Sequence, residues 1–157
     1  MDFKSLGKFE QAALISGGVT LVFSFISRFV SLSVEGVPGF SGDTVYGESA
    51  WGGIGFLAML LIVVAIAVVV VRLLAPATLP DGVPWNLVGA AAAVLGTLLL
   101  VLRLFTASKF GVDLDPGWSG FVTVISAVVL SVASVALFKA SGEKMPDLNK
   151  KDTPPAA

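Results

Sequence analysis

The chain has 157 residues, enough for one domain, and 55% of them are hydrophobic against 13% charged. Soluble domains carry roughly 25% charged residues, so this chain lacks the polar surface that water contact demands; its mean hydropathy is +0.92. The net charge of −1 gives no reason to expect nucleic acid as a partner. With neither cysteine nor histidine, disulfides, thiolate metal sites, the usual proton shuttle and a Ser-His-Asp triad are excluded.

The first ten residues are polar at intervals (Asp2, Lys4, Lys8, Glu10), and an apolar run follows from Ala12 to about Leu32. A signal-peptide core is shorter, about 7–15 residues, so the run reads as a retained membrane helix. Three more stretches reach the roughly 20 apolar residues that a crossing helix needs: Trp51 to Leu74, Trp85 to Ala107 and Trp118 to Phe138. All three tryptophans fall at span ends, where the indole ring prefers the headgroup layer. The apolar runs are long and apolar all round, whereas membrane strands are short and alternate, so helices are expected. The fold class is therefore an all-α membrane protein, a four-transmembrane-helix bundle over residues 1–138 with spans at about 12–32, 51–74, 85–107 and 118–138.

The joints are marked by composition. Glu35 to Ser49 is rich in Gly and Ser; Pro76, Pro80, Asp81, Gly82 and Pro84 break the chain between spans two and three; Asp115-Pro116-Gly117 is a turn signal before span four. Residues 139–157, with interleaved Lys, Glu and Asp and three prolines, read as a disordered cytoplasmic tail. Lysine and arginine divide seven to three between the two sides, with Lys4, Lys8, Arg72, Lys139, Lys144, Lys150 and Lys151 on one and Arg28, Arg103 and Lys109 on the other. The positive-inside tendency then places both termini in the cytoplasm.

The two halves read as similar helical hairpins. Span one ends Ser27-Arg28-Phe29-Val30-Ser31 and span three ends Leu102-Arg103-Leu104-Phe105-Thr106; each is followed by an acidic loop and a Trp-Gly-like start, Trp51-Gly52-Gly53 and Trp118-Ser119-Gly120. In lipid, helices associate through close packing and hydrogen bonds, so small and hydroxyl residues mark interfaces. Span one carries such a seam at Ala13, Gly17, Thr20, Ser24, Ser27 and Ser31, stepping by four and three. Span three repeats it with Gly89, Ala93 and Gly96, and Arg103 continues the stripe; span four offers Gly120, Ala127, Ser131 and Ser134. Span two is bulky and aliphatic after Gly55, so much of it should face lipid. The seams read as helix packing; a polar path along Thr20, Ser24 and Ser27 is the alternative, weakened because membrane hydroxyls commonly bond their own i−4 carbonyl.

Arg28 and Arg103 lie near the outer ends of their spans, where a guanidinium reaches the interface at lower cost than at the bilayer centre. Three roles suit them: anchoring the outer loops by pairing with Glu35, Asp43, Glu48, Asp113 or Asp115, holding a lipid phosphate, or contacting a partner protein. No acid lies inside a span, no phosphate loop is present, and the outer acids lack the dense spacing of a calcium loop. No catalytic residue, cofactor site or metal site is therefore assigned.

The segment Leu102-Arg103-Leu104-Phe105-Thr106, the short acidic loop, and Gly117-Trp118-Ser119-Gly120-Phe121 resemble a group of small four-helix membrane proteins of actinobacteria, whose third helix often ends in Leu-Arg-Leu-x-Thr. The resemblance covers about half of the chain. Where those proteins often carry Pro-Asp-Gly next, this chain has Ala107-Ser108-Lys109. The resemblance implies a bacterial cytoplasmic membrane and carries no assigned activity. The expected function is a non-enzymatic accessory or scaffold subunit, partnered by membrane lipids and by a larger membrane protein or further copies of itself. The alternative is a membrane protein of lipid handling, small-solute transport or holin-like pore formation.

Overall fold

The computed structural model describes residues 5–33, 44–109 and 112–144. Four helices form the body: α1 (Lys8–Ser24), α2 (Ile54–Leu74), α3 (Trp85–Thr106) and α4 (Trp118–Ser141). At about 1.5 Å per residue, α2, α3 and α4 reach or exceed the roughly 30 Å of bilayer hydrocarbon. These three are long and apolar enough to cross a membrane. With 17 residues, α1 is shorter, about 25 Å.

The first helix therefore ends eight residues before the expected Leu32. After Ser24 the chain turns through Phe25–Phe29 and enters strand β1 (Val30–Ser33). The helix end is stabilised locally, because the Ser24 carbonyl accepts the Ala50 N–H at 3.0 Å and the Phe29 N–H donates to the Glu48 carbonyl at 2.9 Å. Ser31 is thus a strand residue and Ser27 is exposed in the turn, so neither belongs to the α1 seam. The signal was present in the alternation Val30, Ser31, Leu32, Ser33, which has the period of a strand rather than a helix.

The loops expected at the outer side are folded. Strand β1 pairs antiparallel with β2 (Thr44–Glu48), with Val30 opposite Glu48 and Leu32 opposite Tyr46. A short two-residue ladder (Ser108–Lys109 as β3, Val112–Asp113 as β4) precedes β5 (Asp115–Pro116), which pairs with the other edge of β1. The sheet order is β2-β1-β5, so one sheet joins both loops into a cap at one end of the bundle. Residues 34–43, with the expected Glu35 and Asp43 partners, lie outside the described residues.

The helices alternate in direction. Gly89 and Gly96 of α3 face Val68 and Ala58 of α2, Thr97 of α3 faces Ser131 of α4, and Thr20 of α1 faces Ser126 of α4. The closest neighbours are α2 with α3 and α1 with α4, while α1 touches α2 far less. The expected α1–α2 hairpin is consequently the loosest joint between sequential helices. Residue size explains this: α3 meets α2 with Gly89, Ala93 and Gly96, and a Cβ on Gly96 would lie 2.9 Å from the Ala58 carbonyl oxygen. Ala93 and Ala127 are fully buried. On α2, one face packs inward (Gly55, Ala58, Met59, Ile62, Ala65), while Phe56, Leu57, Leu60 and Val64 are exposed.

At the end opposite the cap, α4 continues through Ser141 and stops at Gly142, whose φ of 69° is a left-handed helix cap. Residues 139–144 are therefore structured, not the start of the expected tail. Glu143 then turns back onto α3, accepting the Asn86 and Leu87 backbone N–H groups at 3.0 and 3.2 Å and the Asn86 side-chain amide at 2.8 Å. A helix N-terminus leaves such donors unsatisfied, and the carboxylate also suits its dipole. Residues 145–157, the remainder of the expected tail, lie outside the described residues.

Candidate functional site

Arg103 lies in the last turn of α3 and is 6% exposed. Its Nη2 donates to Glu48 Oε2 at 2.8 Å and to the Ser49 carbonyl at 3.2 Å. Its guanidinium carbon stands 5.9 Å from the centre of the Phe29 ring, within cation–π reach. The other Glu48 oxygen accepts the Tyr46 hydroxyl at 2.7 Å. A single side chain of the bundle thus grips the strand and turn that join the cap to α2. Among the described residues, Arg103 Nε is buried without a partner.

Glycines make the space for this arginine. A Cβ at Gly52 would lie 2.6 Å from Arg103 Nη2, and one at Gly55 would lie 2.5 Å from its Cδ and would also strike the Ala50 carbonyl oxygen. Gly53 adopts φ of +51°, a conformation that glycine tolerates best. In sequence the run Trp51-Gly52-Gly53-Ile54-Gly55 reads as the start of a helix; in three dimensions it is the cradle of Arg103. Nothing within the run itself identifies the arginine, which is contributed from some fifty residues away.

Arg28 differs. It lies in the turn after α1 rather than in a helix, it is exposed, and it forms no ion pair among the described residues. The two arginines are therefore not equivalent, although their sequence settings look alike. The backbone of Arg28 sits over the start of α4: a Cβ at Gly117 would collide with its carbonyl oxygen, and the Gly117 N–H donates to the Phe29 carbonyl at 2.9 Å. Asp113 and Asp115 are exposed and pair with neither arginine.

The hydroxyls of the seams connect helices. Thr20 and Ser24 are fully buried. Thr20 Oγ1 lies 2.9 Å from Ser126 Oγ and also bonds the Ser16 carbonyl at 2.8 Å. Ser24 Oγ accepts Trp51 Nε1–H at 3.0 Å, linking α1 to the approach to α2. Thr97 and Ser131 lie 2.9 Å apart between α3 and α4. Gly17 meets Ile66 of α2, where a Cβ would approach to 2.8 Å. Each seam residue that lies within a helix is packed, and the i−4 carbonyl bonds expected of membrane hydroxyls recur at Ser16, Thr20, Thr123 and Ser126.

An aromatic layer surrounds the cap end. Phe25 stacks on Trp51 at 5.3 Å, Trp51 meets Phe56 at 6.1 Å, and Phe23 meets Trp118 edge-on at 5.9 Å. The amphipathic indoles among them, Trp51 and Trp118, are of the kind that collects at a membrane interface. Among the described residues, no three acidic groups gather closely enough to hold a metal ion.

The molecule is thus a helical bundle with three candidate membrane-spanning helices and a small β-cap pinned by a partly buried ion pair. No family model, curated protein or solved structure matches the chain.

Proposed function

We propose that this chain crosses a bacterial cytoplasmic membrane four times, with both termini cytoplasmic and the cap outside, and serves as a non-enzymatic accessory or scaffold subunit. Its partner is a larger membrane protein or further copies of itself. Although α1 is about 25 Å long, mismatch of a few ångströms is accommodated at modest cost by local thinning or snorkelling. Its antiparallel packing along α4 also favours a crossing.

The observation that carries this reading is the pinned cap. Both inter-helix connections at that end are tied into one sheet, and the sheet is held to the bundle by Arg103 and Glu48. A surface ordered before binding avoids the entropy cost of ordering at contact, which suits recognition by a partner. The exposed aliphatic face of α2 offers a second contact surface within the bilayer.

The test is native mass spectrometry of the protein purified in mild detergent from its host. A complex heavier than one chain is expected, and Arg103→Gln should dissociate it while the helical circular dichroism signal remains. A wild-type protein recovered only as single chains would overturn the proposal.

A further inference from the structure

The seam between α1 and α4 is packed unevenly. Midway along it lies an open groove of about 400 Å³ between Ala12, Ile15 and Val19 of α1 and Val122, Ile125 and Val129 of α4. That volume is in the range of small-molecule sites, about 300–1,000 Å³. Its wall is apolar even though Ser16 and Ser126 contribute to it. Both hydroxyls are turned onto backbone carbonyls: Ser16 donates to Ala12 at 2.6 Å and Ser126 to Val122 at 2.9 Å. Short side chains thus leave the space, and self-bonding removes its polarity. The exposed Ile15 and Ile125 form its rims.

Arg28 occupies the cap end of the same seam, its backbone packed on Gly117 at the start of α4. It is exposed and forms no ion pair among the described residues. Along the sequence Phe23 falls between Val19 and Arg28, and Trp118 between Gly117 and Val122, and their rings meet edge-on at 5.9 Å. From Gly117 down to Val129 the helix descends about 18 Å, close to the roughly 15 Å depth of one hydrocarbon leaflet.

We infer that this seam is a phospholipid site, with the lipid phosphate held by Arg28 and one acyl chain lying in the α1–α4 groove. The occupant is a glycerophospholipid of the leaflet on the cap side. A cation at headgroup depth and an apolar slot below it, spaced along one seam, match the two ends of such a molecule. Guanidinium geometry suits phosphate oxygens. The inference rests on α1 crossing the bilayer and is independent of any protein partner.

The experiment is native mass spectrometry of the full chain released from detergent micelles containing phosphatidylglycerol, diacylglycerol or inorganic phosphate. Phosphatidylglycerol should be retained about tenfold better than diacylglycerol, as a charge-assisted contact of about 1.4 kcal/mol implies. Arg28→Gln should abolish that preference, and Val129→Phe should weaken retention of both lipids. Ile125→Trp carries the same expectation should Val129→Phe fail to fold. Equal retention by all variants, displacement of the lipid by inorganic phosphate alone, or occupation of the seam by a second copy without lipid would each overturn the site. Single cysteines at Ser5 and Ser108, labelled from either side, test the crossing itself. If both label from the same side the crossing premise fails, whereas opposite labelling with no lipid preference defeats only the site.

Discussion

Arg103 carries a full charge at 6% exposure, and its surroundings show how that is tolerated. Glu48 supplies the opposite charge, Ser49 a carbonyl, Phe29 an aromatic face, and three glycines the volume. Removing one partner of a buried pair strands the other charge and costs about 3–5 kcal/mol. Arg103→Gln and Glu48→Gln should each destabilise the protein by about 3 kcal/mol, the low end, because the Glu48 side chain retains 21% exposure. Thermal unfolding in detergent measures this. The double variant should cost less than the sum of the two, since the stranded charge is then absent. Glycines separate in the same way by neighbourhood. Gly18 is exposed with nothing within 4 Å of a Cβ, whereas Gly96 abuts the Ala58 carbonyl and Ile62. Gly18→Ala should therefore stabilise α1 by up to about 1 kcal/mol, while Gly96→Ala should lower the melting temperature by forcing α2 and α3 apart.

At the scale of elements, the termini of helices are where this chain departs most from a plain bundle. The Ser24 carbonyl at the end of α1 accepts the Ala50 N–H, and five residues on the Phe29 N–H donates to the Glu48 carbonyl, so helix end and sheet start are one hydrogen-bonded unit. The start of α3 is capped from a distant part of the chain by Glu143. Glu143→Ala should cost about 1 kcal/mol, the usual value of a lost cap, and the amides of Asn86 and Leu87 should exchange hydrogen faster than in the wild type. Glu143→Gln should retain part of the effect, because its carbonyl still accepts a hydrogen bond but the dipole interaction is lost. These junctions explain why the element boundaries were legible in the sequence at Trp85 and Trp118 but not at Ser24. Proline and tryptophan announce the former locally; the latter is decided by strand β2, which begins twenty residues later in the chain.

For the whole molecule, the number of crossings is the quantity that organises everything else. The protein has no cysteine, so single introduced cysteines report position without background. Ser5→Cys and Asp81→Cys should react from the cytoplasmic side with a polar thiol reagent, and Ser108→Cys from the other side. A Ser5→Cys that labels together with Ser108→Cys would reduce the crossings to three. Labelling of Ser5→Cys and Ser108→Cys from opposite sides would place the α1–α4 groove within the bilayer and the pinned cap at one of its surfaces.

The residue string alone specifies that this chain needs a membrane-like environment, where its three longest helices lie, and that small residues mark their contact faces. Those properties follow from composition and period alone: apolar length sets a span, and a small residue every third or fourth position sets a face. It did not determine that the loops form a sheet, that Arg103 is buried and Arg28 exposed, or that α1 prefers α4 to α2. Arg28 and Arg103 have similar neighbours in the chain, yet only Arg103 meets Glu48 and the glycine cradle at Gly52, Gly53 and Gly55. That choice depended on contacts between segments about fifty residues apart, and only the tertiary structure brings those segments together.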